Sequence, residues 1–212
     1  MQIAVCTPTR GLVFTQVIEF IEKCRETHDI KLYLTHDLPI PESFNDVVER
    51  ALVDNPDFIW FLEEDVLPPE GTLDKLLEAL KTYDLASVDY GYDGGQNTVV
   101  RSTIDNRILF SGFGCTLVKK KVFDKMQRPY FRADKAFLLN NMRWSDVDPH
   151  EAYGMHDIYF GFQVRELGFK MGQIEGEATH LKLIELGRPT KNNGCHTIGT
   201  KDRISRPLLL PI

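Results

Sequence analysis

The spacing of apolar positions changes along the chain, and each change marks an element. Ile3–Cys6 is a short apolar run closed by Thr7, Pro8, Thr9, Arg10 and Gly11, which predicts a buried strand and then a turn. Phe14, Val17, Ile18 and Ile21 recur at the spacing of one helix face. Lys31–Thr35 alternates as a second strand. Val47, Val48, Ala51 and Leu52 then line one side of a helix that Asn55 and Pro56 end. Phe58–Leu62 is continuously apolar, the pattern of a strand buried on both faces of a parallel sheet. Glu63, Glu64 and Asp65 follow at once, and Pro68 and Pro69 break the regular structure. A helix over residues 70–83 carries Leu73, Leu76, Leu77 and Leu80, and Leu85–Val88 reads as a further strand. The order β-α-β-α-β-α-β predicts an α/β fold, a mostly parallel sheet covered by helices.

Beyond Val88 the pattern shifts. Asp89–Gly95 is rich in turn residues, and the stretches 98–103 and 107–111 read as two short strands joined at Asp105 and Asn106. Gly112 and Gly114 in the next run mark either close backbone approach beside a ligand or a bulged strand. Lys119–Lys121 is the solvated start of a short helix. Arg128–His150 mixes Tyr130, Phe131, Phe137 and Trp144 with charge and keeps no period. Its length points to function, and its aromatic content argues against disorder. Met155–Leu167 reads as a helix stopped at Gly168, Phe169–Ile174 as a last strand, with His180 close behind. From Lys182 the tail carries Arg188, Lys191, Lys201, Arg203 and Arg206 against Glu185 and Asp202.

Composition narrows the classes. The 212 residues suffice for one well-buried domain, and a net charge of -6 does not advertise a nucleic-acid or anionic-membrane partner. Cys6, Cys24, Cys115 and Cys195 show no zinc-like spacing, so reduced thiols of a cytoplasmic protein are expected. Met1 and Gln2 lead directly into the first strand, leaving no room for a signal peptide, and no apolar run approaches the roughly 20 residues of a membrane span. The expectation is a soluble protein without integral membrane association.

The candidate chemistry lies at the ends of the strands. An open α/β sheet binds its ligand outside the carboxyl ends of its strands. Glu63, Glu64 and Asp65 would stand there, where a hard cation can meet carboxylates and substrate phosphates together. The same acids also fit a solvated loop. The first turn lacks both the G-x-G-x-x-G and the P-loop pattern, which speaks against dinucleotide and ordinary ATPase sites. Thr7, Thr9 and Arg10 offer hydroxyls, amides and a cation to a nucleotide, or form a plain turn.

Three spaced signals then converge: the apolar strand ending in Glu63, Glu64 and Asp65; the segment Ser111–Cys115 leading into Lys119–Asp124; and the helix start His156–Phe160 followed by Gly168, Phe169 and His180. In that order they resemble the GT-A fold glycosyltransferases, most closely the family-2-like group, from Ile3 to about His180. The resemblance implies a GT-A-type (Rossmann-like) central sheet with a small antiparallel acceptor-side part. It also implies one domain over 1–212: a nucleotide-sugar half over about 1–88, an acceptor and catalytic half over about 89–180, and a basic tail over 181–212.

The activity it implies is metal-dependent transfer of a sugar from a nucleoside-diphosphate sugar, a UDP-sugar, to an acceptor hydroxyl with inversion. Glu63 and Asp65 match the outer acids of the family's D-x-D motif, with Asp65 a ligand of Mn²⁺ or Mg²⁺ and Glu63 toward ribose or metal-bound water. Asp157 matches the general base, with His156 in place of the usual Glu. His180 matches the histidine that completes the metal site. Thr7, Pro8, Thr9 and Arg10 match the turn that holds the nucleoside, and Glu64, Gly112 and Gly114 fall beside the donor. Arg188, Lys191 and Arg203 of the tail would fold over the diphosphate. The acceptor stays open between a small glycan, a protein and hydroxylated bases in DNA, onto which Tyr130, Phe131 and Trp144 could stack. A nucleotidyltransferase and a non-catalytic sugar-nucleotide binder are the competing classes.

Overall fold

Along the chain run β1 (Gln2–Thr7), β2 (Leu12–Phe14), α1 (Thr15–Arg25), β3 (Asp29–Leu34), α2 (Glu42–Val53), β4 (Phe58–Leu62) and β5 (Val66–Leu67). Then come α3 (Thr72–Ala79), β6 (Leu85–Tyr90), β7 (Val99–Arg101), β8 (Ile108–Ser111), β9 (Cys115–Lys119) and α4 (Lys120–Phe123). The chain closes with β10 (Lys135–Leu138), β11 (Arg143–Asp146), α5 (Met155–Glu166), β12 (Met171–His180) and β13 (Leu209–Pro211). This computed structural model describes residues 1–9, 11–90, 98–102, 104–138, 143–146, 155–181 and 209–211, with the backbone alone at 135–138, 143–146, 155 and 209–211.

Seven strands form the central sheet in the order β3-β1-β4-β9-β6-β12-β5. β3, β1 and β4 are parallel neighbours, and β6 pairs in parallel with β12. β9 lies antiparallel between β4 and β6. The sheet is mostly parallel, as expected, with one antiparallel strand inside it. The reason is burial: Cys115, Leu117 and Val118 are fully enclosed, so a strand apolar on both faces takes a central slot. The expected hairpin over 98–111 forms as β7 and β8, and β10 and β11 form a second one within the aromatic segment. β13 returns antiparallel to β2, beside the first-strand turn.

Alternation along the strands divides the core into two layers. Ile3, Val5, Trp60, Leu62, Leu117 and Val88 face α1 and α3. Ala4, Cys6, Ile59, Phe61 and Val118 face α2, α4 and α5. The second layer is built largely from rings: Phe131 stacks on Phe160 at 4.8 Å, and Phe113 meets Phe61 edge-on at 4.8 Å. Helices therefore cover both faces of the sheet, the α/β class that the sequence predicts.

Candidate active site

β1, β3, β4, β6 and β12 all point one way, so their carboxyl ends share one rim. Thr7, the acidic turn, Tyr90 and His180 stand at those ends. β9 begins at the same rim, because Cys115 lies opposite Leu62. α5 precedes β12 and returns toward its start, which puts the helix's first turn, with His156 and Asp157, at that rim too.

The acidic turn is held through its backbone. Glu63 N–H donates to Gly114 O at 3.1 Å, and Phe14 N–H donates to Glu64 O at 3.0 Å. Leu181 N–H donates to Asp65 O at 2.6 Å. β12 reaches this turn by a register shift between Ile174 and Glu177, where Gly176 adopts φ 129°. Such a bulge bends a strand, and here the bent end pairs antiparallel with β5, His180 opposite Val66. The consequence is a contact across 115 residues of sequence: His180 Nε2 lies 3.2 Å from Asp65 Oδ2, and both side chains are mostly buried.

A carboxylate and an imidazole in contact at the rim fit a divalent cation. Among the described residues no three His, Cys, Asp or Glu side chains cluster closely enough to hold an ion alone. Mg²⁺-type sites use one or two carboxylates and leave the other positions to phosphates and water. The donor set present suits an ion that arrives with a diphosphate.

Asp157 and His156 form the second pair. Their closest atoms, Oδ1 and Nε2, are 3.0 Å apart. The His156 ring is buried and packs against Phe44 at 4.6 Å, and its Nδ1 has no hydrogen-bond partner among the described residues. Beyond Phe44 and Phe131 a cleft of about 650 Å³ opens between α2 and residues 129–134. Its acids are Glu42, Asp46, Glu49 and Asp134; Arg132 and Asp134 pair with each other on one wall, Nε to Oδ1 at 2.8 Å.

Several expected donor contacts have other duties. Thr9 Oγ1 donates to Leu12 O at 2.8 Å and accepts Gly11 N–H at 3.0 Å, so its hydroxyl closes its own turn. Pro8 is buried; Thr7 is fully buried, and its Oγ1 has no hydrogen-bond partner among the described residues. A Cβ on Gly112 would lie 2.4 Å from Tyr90 Oη, and one on Gly114 2.6 Å from the Tyr90 ring. Those glycines make room for a tyrosine. Arg10, Arg188, Lys191 and Arg203 lie outside the described residues, and of Trp144 only the backbone is described.

Tyr90 is the site residue that sequence reasoning missed. It opens a stretch that reads only as a turn, and the two glycines that signal a close approach lie more than 20 residues away. Its hydroxyl accepts Gly114 N–H at 3.1 Å. Burial first, then the charges of Glu63, Asp157 and Asp65, push the phenol well above its usual range. The acids of both pairs therefore act on one buried side chain.

Sheet order and rim together define an α/β architecture with a mostly parallel central sheet covered by helices. Among solved structures the chain is similar to A197 from STIV, at 19% identity over 85% of this chain and 82% of that one, with a TM-score of 0.58. It is also similar to a structure assigned to a nucleotide-diphospho-sugar transferase of Desulfovibrio desulfuricans G20, at 14% identity over 85% and 80% of the chains, TM-score 0.43. A third is a glycosyltransferase involved in glycosylation of the major capsid of PBCV-1, at 12% identity over 61% and 70%, TM-score 0.38. The first likeness shows the fold alone, and the other two carry no argument. No protein-family model and no curated protein matches the chain. Among the described residues no helix is long and apolar enough to cross a membrane.

Proposed function

We propose that the protein is a metal-dependent glycosyltransferase that moves a sugar from a nucleoside-diphosphate sugar, a UDP-sugar, to an acceptor hydroxyl. The observation that carries this reading is the Asp65–His180 contact at the carboxyl rim of a GT-A-type sheet. Asp65 and His180 would hold Mn²⁺ or Mg²⁺, which as a Lewis acid stabilises the departing diphosphate. Asp157 takes the proton of the acceptor hydroxyl, a contribution of about 10²–10⁴-fold for a positioned base. One base and one displacement give inversion at the anomeric carbon. Residues of about 1–88 supply the donor side and those of about 89–180 the acceptor side.

The cleft beside Phe131 lies next to the turn that carries Asp157, and its acidic lining suits a small glycan or a protein acceptor. Nucleic-acid binding rests on neutralising phosphates with Lys and Arg, so this lining speaks against DNA. The free thiols Cys6, Cys24 and Cys115 agree with a cytoplasmic setting.

The test is thermal unfolding with UDP, GDP, CDP, ADP or dTDP, each with and without Mn²⁺. A ligand at about 100 times its Kd adds roughly 2.7 kcal/mol. UDP should stabilise only with Mn²⁺, and Asp65→Ala should abolish the effect. Asp157→Asn should keep the donor effect and lower transfer by about 10²–10⁴-fold. Silence with every nucleotide, metal present, would remove the transferase reading.

A further inference from the structure

Tyr90 ends β6 at the centre of the rim, and four separate features meet on it. Both glycines of the Gly112–Gly114 segment lack a Cβ where the tyrosine ring and hydroxyl stand, at 2.4 and 2.6 Å from the positions such carbons would take. Oη accepts Gly114 N–H at 3.1 Å, and the carbonyl of the same Gly114 accepts Glu63 N–H at 3.1 Å. One residue thus links the phenol to the acidic turn. On its other side the Tyr90 ring meets the imidazole of His180 edge-on, centroids 5.9 Å apart. The charges of Glu63, Asp157 and Asp65 all reach it. A tyrosine kept only to fill space would need the notch but not the hydrogen bond or the imidazole contact.

Resting on the transferase reading, we propose that Tyr90 is a positioning residue of this site: its ring seats His180 for the metal, and its hydroxyl fixes the acidic turn through Gly114. The two functions are separable because ring and hydroxyl can be removed one at a time. An imidazole that ligates a metal depends on groups that hold its orientation, and their loss costs about 10–100-fold in affinity or activity.

The experiment compares wild type, Tyr90→Phe and Tyr90→Leu by Mn²⁺ binding, followed by electron paramagnetic resonance with UDP present, and by transfer kinetics. Tyr33→Phe, on the opposite face of the sheet, is the control and should match wild type in both. Tyr90→Phe keeps the ring and should lose less Mn²⁺ affinity than Tyr90→Leu, while kcat falls about 10-fold and the donor KM stays put. Tyr90→Leu, folded by circular dichroism, should bind Mn²⁺ at least about 10-fold more weakly. Wild-type Mn²⁺ affinity in folded Tyr90→Leu, or an unchanged kcat in Tyr90→Phe, overturns the assignment. The second criterion decides alone if the leucine variant does not fold. Wild type that binds neither Mn²⁺ nor any nucleotide fails differently, since it removes the transferase reading itself and this inference with it.

Discussion

The two halves of the rim are held by different forces. The acidic turn is tied by backbone hydrogen bonds to three other segments, through Gly114, Phe14 and Leu181. Those bonds are made by the main chain of Glu63, Glu64 and Asp65 and ask nothing of their side chains. The first turn of α5 is held by side-chain volume instead. Phe160 stacks on Phe131 at an interplanar angle of 13°, His156 leans on Phe44, and Gly161 lets the helix lie against Phe110. Its position therefore depends on packed rings, and interiors packed at crystal density transmit a volume change to their neighbours. A half proposed for the metal and fixed by the main chain, and a half proposed for the base and fixed by rings, should respond differently to the same kind of damage.

The strongest way to break this comparison is to delete a ring under each half. Phe131→Ala should cost about 3–5 kcal/mol of stability and also lower kcat, because Asp157 loses its backing. Phe20→Ala, against Trp60 in the other layer, should cost stability in the same range and leave kcat of the folded protein unchanged. Denaturant titration and steady-state kinetics check both; equal kcat losses would remove the distinction.

A smaller effect sharpens it. In Gly161→Ala the new methyl would lie 2.6 Å from Phe110 Cβ and 3.0 Å from its Cα, and main chain yields little. The helix should shift, with a loss of about 1–3 kcal/mol and a fall in kcat at unchanged Mn²⁺ affinity. Gly114→Ala meets the Tyr90 ring and Val66. A similar loss of stability is expected there, with weakened Mn²⁺ binding instead. The two variants together report which half each glycine serves.

A last effect is alkaline. Burial pushes the Cys115 thiol from its ordinary 9.0 up to about 12. The folded state thus favours the neutral thiol. Its contribution is complete below about pH 9 and is lost as pH rises toward 12, at no more than about 1.4 kcal/mol per pH unit. Cys115→Ala should flatten the fall of melting temperature above pH 9. An unchanged slope would place the alkaline transition elsewhere.

Much of this was legible in the chain because it rests on local pattern. The run Phe58–Leu62 fits a strand covered on both faces, and its abrupt end marks where three acids emerge. The helical spacings of α1, α2 and α3 likewise give their buried faces. The position of β9 was not legible, since an apolar strand does not state its neighbour or direction. Nor was the role of Thr9, whose hydroxyl suits a ligand and a turn equally well until Leu12 O is found beside it.

By itself the sequence determined an α/β chain with an acidic strand end, a helix that begins with His156 and Asp157, and a histidine shortly after the last strand. Period, turn residues and charge are short-range properties, and they need no partner to be read. Only the tertiary structure decided that a bulge at Gly176 would carry His180 back to Asp65. It alone placed Tyr90 in the notch of two glycines and set His156 among the rings beneath Asp157. These contacts join residues far apart in the chain, and their energies depend on shape and register that exist only once the sheet has formed.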